Sequence, residues 1–221
     1  MKIINPYVTL AAQELDPAKL LNIERAARIC YKSESKMGDA PSETFLRNIL
    51  RAGHESVIEH EKVTVRFVVD RGVSHELVRH RLGSYSQEST RYCNYSNDKF
   101  GSEITVIEPF FYVKDDGLYR VWELSCREAE KSYLALLNAS APEAARTVLP
   151  NSLKTELAVT YNMREWRHFF RLRCSVKAHP QMQQVAIPLL LKLKGALPPL
   201  FDDIAYNETF PPEFYGEVRF I

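Results

Sequence analysis

The apolar positions of the chain fall into runs of two periods, and the elements follow in order. Behind Asp16-Pro17, Leu20, Ile23, Ala27 and Cys30 recur at helical spacing, which predicts a helix ending near Lys32. The polar stretch from Ser33 to Pro41 reads as a loop. Ser42 caps a second helix that runs to Arg51, should bury Phe45 and Ile49, and is stopped by Gly53. From Glu61 to Asp70 the period falls to two: Val63, Val65, Phe67 and Val69 alternate with Lys62, Thr64 and Arg66, as in a half-exposed strand. Arg71 to Val78 reads as the start of a helix whose last turn carries Arg79-His80-Arg81, cations suited to its negative end.

After a turn-prone stretch, Glu103 to Val113 is expected to be extended. Leu118, Val121, Trp122, Ser125, Ala129, Tyr133 and Leu136 then outline a long helix, and a shorter one follows from Pro142. Thr155, Leu157, Val159 and Tyr161 alternate as another strand, which Asn162 ends before a helix across Arg164 to Arg173. The last long helix spans Gln181 to Lys194. Interleaved strands and helices without repeats fit α/β or α+β, with either sheet polarity.

Composition changes this picture little. A chain of 221 residues, 45% hydrophobic, is long enough to bury one substantial core, so residues 1–221 are expected to form a single domain. The formal net charge of +1 argues against nucleic acid as a partner. Cys30, Cys93, Cys126 and Cys174 are widely spaced with no Cys-x-x-Cys, so neither a disulfide framework nor a zinc or other metal site is suggested. The opening residues lack a signal-peptide core and no apolar run approaches a membrane span, so a cytoplasmic protein without a membrane partner is expected.

The candidate chemistry is concentrated in two segments. Arg79-His80-Arg81-Leu82-Gly83-Ser84-Tyr85-Ser86-Gln87-Glu88-Ser89-Thr90-Arg91 combines three arginines with short hydroxyl side chains. Guanidinium forks match phosphoryl oxygens, and hydroxyls with backbone N–H groups complete an anion cradle. If helical, Arg79, His80 and Arg81 would fan about 100° apart and reach different ligands. In the second segment, Arg164, His168 and Arg171 share one helical face, with Trp166, Phe169, Phe170 and Leu172 supplying apolar surface. That helix reads as a core helix whose arginines meet carboxylates such as Glu165 or solvent, as the wall of an anion pocket, or as an RNA-binding helix, the last least consistent with the charge.

Arg-His-Arg, seven residues, then Ser89 resembles the signature of the flavin-dependent thymidylate synthases. The resemblance extends in order through Ala26-Ala27-Arg28-Ile29-Cys30-Tyr31, Gly53-His54-Glu55-Ser56-Val57-Ile58-Glu59-His60, Ala145-Arg146-Thr147-Val148-Leu149-Pro150, Asn162-Met163-Arg164 and His168-Phe169-Phe170-Arg171-Leu172-Arg173, about Ala26 to Gln184 in all. It implies an α+β fold with a central, mostly antiparallel sheet flanked by helices, and a homotetramer with sites shared between chains.

It also implies an enzyme that methylates dUMP to dTMP, with methylenetetrahydrofolate as one-carbon donor, FAD as carrier of reducing equivalents and NADPH as reductant. Carried over by position, FAD falls to His54, Ser56, Glu59, Arg79, His80, Arg81, Gln87, Asn162, Met163, Arg164 and His168. The nucleotide falls to Glu76, Leu77, Val78, Arg79, Gln87, Glu88, Ser89, Thr90, Arg91, Arg146 and Arg173. Arg173 resembles the uracil-facing arginine and is the catalytic candidate, since a fixed positive charge stabilises negative charge developing on the pyrimidine. The chain departs from many members in having Ser86-Gln87 for Asn-Glu and Glu76 for glutamine. The competing reading is a nucleotide or nucleic-acid binding module without turnover.

Overall fold

The computed structural model describes residues 1–114 and 116–221. In chain order its elements are β1 (Lys2–Ile4), β2 (Tyr7–Leu10), α1 (Ala18–Tyr31), α2 (Glu43–Arg51), β3 (Lys62–Asp70), α3 (Arg71–Leu77), β4 (Ser84–Gln87), β5 (Thr105–Ile107), α4 (Gly117–Leu137), α5 (Pro142–Ala145), β6 (Lys154–Asn162), α6 (Met163–Arg173), α7 (Pro180–Ala196), α8 (Pro198–Phe201) and β7 (Glu217–Phe220). Five strands form one sheet in the order β4-β6-β3-β2-β7, and β1 pairs with β5 in a second, two-stranded sheet.

Register fixes polarity along most of the larger sheet. Thr64 meets Thr160 through their hydroxyls (2.9 Å), whereas the Arg71 N–H, just past β3, donates to Leu153 O (3.1 Å). As β3 advances, its partner on β6 recedes, so the pair is antiparallel. The same reasoning applies to β4 and β6, where Tyr85 faces Tyr161 and the Glu88 N–H donates to Glu156 O (2.8 Å). The sheet is nonetheless mixed, because β2 and β7 pair in parallel from Tyr7↔Glu217 to Leu10↔Phe220. The mixed α+β class agrees with the sequence reading, with this parallel edge as the amendment.

The described residues fall into two compact units: Met1–Pro6, Phe67–Arg79 and Ser86–Leu157 in the first, and Tyr7–Arg66, His80–Tyr85 and Ala158–Ile221 in the second. The first is built on Tyr95, Ile104, Val106, Cys126, Tyr133, Ala145 and Leu153. Here α4 buries Tyr119, Cys126 and Tyr133 and leaves Leu118, Val121 and Leu136 exposed, so its inward face is rotated from the predicted stripe. The buried aromatics hold polar anchors: the Tyr119 hydroxyl donates to Glu108 (2.8 Å) and the half-buried Trp122 indole to Ser152 (2.9 Å). Of Glu103 to Val113 only Thr105–Ile107 is a strand.

In the second unit, Tyr161, Trp166, Phe169, Phe170 and Phe201 form a buried aromatic chain, with Tyr161 and Trp166 centroids 4.7 Å apart. The Ser42 hydroxyl caps α2 by accepting from the Phe45 N–H (3.4 Å), and Gly53 takes the left-handed conformation (φ 76°) that ends the turn. Leu46 and Ile49 enter the core, while Phe45 lies under the Arg28 guanidinium (4.1 Å). Cys30 is exposed, leaving Leu20, Ile23 and Ala27 as the buried stripe of α1.

Candidate active site

In the second unit the candidate residues gather around the start and end of α6. The Asn162 side chain caps the helix, its Oδ1 accepting from the Glu165 N–H (2.9 Å). Arg164 and His168 point outward and are exposed, as is Arg171, so the predicted basic stripe exists. Its arginines are tied to carboxylates, Arg164 to Glu59 (2.6 Å) and Arg171 to Glu55 (3.1 Å). Met163 is fully buried and its N–H donates to Glu61 O (2.9 Å), so it presents no surface to a ligand. His54 and Ser56 are exposed, and His54 Nδ1 lies 2.7 Å from the Tyr31 hydroxyl.

The Arg-His-Arg triplet is not helical. Helix α3 ends at Leu77, and the chain turns before β4. The cause is His80, which is 4% exposed and packs edge-on to Phe169 (5.2 Å between centroids). Burying that ring pulls the chain out of the helical path, and the Gly83 N–H donates to His80 O (3.3 Å) to close the turn. The Tyr85 hydroxyl donates to the same carbonyl. Arg81 is exposed and makes no ion pair among the described residues.

The His80 ring is bonded on both sides. Arg173 Nε–H donates to Nε2 (3.1 Å), and Nδ1 lies 3.0 Å from Glu165 Oε1. Burial lowers the His80 pKa, and the Arg173 charge lowers it further against the opposing pull of Glu165, so the neutral ring is favoured. Glu165, His80 and exposed His168 present potential metal-ligand atoms within 4.8 Å of one another. Since both His80 nitrogens already have partners, that grouping is accounted for without an ion.

In the first unit, two of the candidates, Thr90 and Arg146, line a cavity of about 230 Å³ together with Arg71, His75 and the turn Pro150-Asn151. Arg146 Nη1 bonds the Thr90 hydroxyl (3.3 Å), and Thr90 is 7% exposed. The Ser89 hydroxyl accepts from the Arg91 N–H (3.3 Å), while Arg91 lies 3.7 Å from Glu143. Arg79 is exposed and, among the described residues, makes no ion pair. Leu77 is fully buried and presents no surface to a ligand, whereas Val78 and Glu76 are half-buried.

The departures at 86–88 have a local explanation. Gln87 Nε2 donates to Ser74 Oγ (3.1 Å) and Thr155 Oγ1 (3.2 Å); since the Ser74 hydroxyl gives its own proton to Arg71 O (2.9 Å), a carboxylate at 87 could not make the first of these bonds. Glu88 is held by Lys154 Nζ and the Tyr95 hydroxyl, each at 2.8 Å. Burial alone would lower the Lys154 pKa, but its bonds to Glu156 and Glu88 outweigh it and raise the value. Burial pushes the Cys126 and Cys174 thiols up, away from the thiolate form a nucleophile needs.

Sequence reasoning did not identify Arg71 and His75 as cavity residues, nor Glu165 and Tyr161 as partners around His80. Glu165 carried a readable signal: it shares the inward face of α6 with Trp166 and Phe169, and a buried acid requires a partner.

Known proteins now add to this geometry. Residues 11–199 match the family described as thymidylate synthase complementing protein. A flavin-dependent thymidylate synthase of Geobacter sulfurreducens is 37% identical over 186 residues, 80% of this chain and 78% of that protein. One from Corynebacterium aurimucosum is 36% identical over 200 residues, 82% and 78% respectively. Among solved structures, the UMP/dUMP methylase PolB of Streptomyces cacaoi, bound with 5-Br dUMP, superposes with a TM-score of 0.71 at 23% identity, covering 91% of this chain and 96% of that one, which establishes a shared fold. With the family matched over most of its length and relatives above 30% identity, this chain belongs to the thymidylate synthase complementing protein family.

Proposed function

We propose that the protein is a flavin-dependent thymidylate synthase that converts dUMP to dTMP with methylenetetrahydrofolate as the one-carbon donor. The observation that carries this reading is the pairing state of its arginines. Arg28, Arg47, Arg127, Arg164, Arg167, Arg171 and Arg219 each contact a carboxylate, and Arg91 does so more loosely, 3.7 Å from Glu143. Arg79 and Arg81 of the signature have no such partner among the described residues, and Arg146 contacts a hydroxyl. Guanidinium groups not neutralised by the protein are what a phosphorylated ligand requires.

The exposed donors suit FAD: Arg79 and Arg81 for pyrophosphate, and His168 and Arg164 for the flat ring system, with the Asn162 amide, His54, Ser56 and Glu59 beside them, while Met163, His80 and Gln87, buried or already bonded, are assigned only by their places in the sequence pattern. When bound, FAD supplies the reducing equivalents, which NADPH renews. Arg146 and Thr90, which line the cavity, are assigned with Arg91 and Ser89 to the nucleotide phosphate, and Glu76, Leu77, Val78, Gln87 and Glu88 to the rest of the nucleotide by their places in the sequence pattern. Arg173 is assigned to the pyrimidine, where its fixed charge stabilises the anion that develops as carbon 5 becomes nucleophilic. A homotetramer completing its sites across subunits, and activity in the cytoplasm without membrane or nucleic-acid partners, belong to the same proposal. Among the described residues no helix is long and apolar enough to cross a membrane, and the four cysteines are unpaired.

The test is an anaerobic absorbance titration of the purified protein with NADPH, methylenetetrahydrofolate and dUMP, with dTMP quantified at the end. Flavin bands that bleach and return as dTMP forms support the reading. A protein that binds no flavin, or turns over flavin without dTMP, refutes it. Arg173→Ala should retain FAD and lose dTMP formation.

A further inference from the structure

Glu165 and Arg173 sit at opposite ends of α6, eight residues and about 12 Å of helix rise apart, so neither can reach the other directly. His80, arriving from a different segment, lies between them and bonds both, at 3.0 Å to Glu165 and 3.1 Å to Arg173. We propose that Glu165 and His80 form a positioning relay whose function is to fix the guanidinium of Arg173 against the nucleotide base. The inference rests on the assignment of Arg173 to that base.

Donor and acceptor chemistry gives the relay a direction. Arginine only donates, so Nε2 of His80 must accept and carries no proton. The single ring proton of the neutral imidazole is then on Nδ1, where it donates to the Glu165 carboxylate. An acid on one side selects the tautomer that presents a lone pair on the other. Second-layer carboxylates orient metal-bound imidazoles in this way, and here the oriented group is a guanidinium. The bond falls on Nε, at the root of the guanidinium, and so sets the plane in which its remaining N–H groups lie.

The surroundings hold the relay still. His80 is clamped by Phe169 at 5.2 Å and Tyr161 at 6.0 Å between ring centroids, and its carbonyl accepts from Gly83 N–H and the Tyr85 hydroxyl. Glu165 is 5% exposed and its N–H is bonded to Asn162, the cap of the same helix. Two buried ionisable groups are a poor choice for stability, since apolar residues of similar volume pack as well or better. Their presence is explained if the arginine they hold needs a defined direction.

The experiment uses the FAD-loaded enzyme with Glu165→Leu, Glu165→Gln and His80→Gln. Flavin content, melting temperature, and kcat and KM for dUMP are measured, together with the histidine side-chain nitrogen spectrum of ¹⁵N-labelled protein. Glu165→Leu should keep its flavin and fold yet lose about 10–100-fold in kcat/KM, the scale of misplacing a reacting group. Glu165→Gln keeps an oxygen acceptor for Nδ1–H and should recover most of that loss. The wild-type spectrum should show His80 protonated at Nδ1 and bare at Nε2, a preference lost in Glu165→Leu. Wild-type kcat/KM in Glu165→Leu overturns the relay, and so does an equal loss in both Glu165 variants accompanied by a lower melting temperature. If Glu165→Leu does not fold, the wild-type spectrum decides, and an Nε2-protonated His80 refutes the relay. An enzyme that makes no dTMP while showing the Nδ1 tautomer would instead fault the functional assignment and leave the relay's geometry supported.

Discussion

Gly83 lies inside the signature segment, and its lack of a side chain has a specific reason. Its φ is not in the left-handed region, unlike Gly53 and Gly101, so backbone freedom is not the requirement. A Cβ at 83 would fall within 3.0 Å of both Cδ1 and Cε1 of Tyr161 and 3.2 Å from the Tyr85 hydroxyl. The Tyr161 ring has no room to yield: it is fully buried, packed against Trp166 (4.7 Å) and Phe169 (5.9 Å), and its hydroxyl is 2.8 Å from that of Tyr85. Overpacking of this kind costs about 1–3 kcal/mol. For a chain of this size that lowers the melting temperature by about 2–12 °C. Thermal melts of Gly83→Ala measure the cost, and Gly195→Ala is the control, because nothing lies within 4 Å of its added Cβ. Alanine there should be neutral or stabilise α7 by up to about 1 kcal/mol. In a Tyr161→Leu background the Gly83→Ala penalty should shrink, giving a measurable coupling between the two sites. A Gly83→Ala protein that melts with the wild type, or simple additivity in the double variant, would refute the steric account.

Asn162→Ala removes the α6 cap and should cost about 0.5–2 kcal/mol in chemical denaturation, with Asn162→Asp retaining most of the stability. Arg146→Ala should weaken dUMP binding about 10–100-fold in calorimetric titration of the FAD-loaded protein, the effect of losing one charged hydrogen bond to phosphate. Unchanged affinity would remove the cavity from the nucleotide site. The pH dependence of stability follows from His80, whose folded-state pKa lies below its ordinary 6.5. The unfolded chain therefore takes up the proton first, so stability is full above about 6.5 and is lost as pH falls from there toward the lower folded value. The groups facing the ring are Glu165, His168 and Arg173 on α6 and Tyr161 on β6. His80→Gln should flatten this acid limb in denaturant titrations across pH, and an unchanged limb would assign it to other groups.

Much of the framework was legible because local rules and burial agree. Thr155, Leu157, Val159 and Tyr161 alternate in sequence and are all buried in β6, and Ser42 and Asn162 cap the helices they precede. Legibility failed where a distant partner decides. Strands β2 and β7 are four residues each, and neither contains enough alternation to announce a pairing made across nearly the whole chain. The charges of Arg79-His80-Arg81 suit a helix end, but the pocket formed by Phe169 and Glu165 claims His80 and overrides that preference. On α4, counting hydrophobicity favoured Leu118 and Val121, whereas the core selects aromatics whose polar tips find Glu108 and Ser152. Pattern picked out the candidate residues, yet the bonds among them, Glu165 to His80 to Arg173 above all, join segments whose sequences carry no mutual signal.

The parallel pairing of Tyr7–Leu10 with Glu217–Phe220 also has a kinetic meaning. During synthesis β2 emerges early, yet its β7 neighbour is made only after every other element described above. Through that interval β2 presents an open row of backbone donors and acceptors, the kind of edge that recruits another chain. Ribosome-bound intermediates should therefore be most prone to misassociation just before residues 217–220 appear, and this late closure, with its very long sequence separation, should be among the slowest steps of folding.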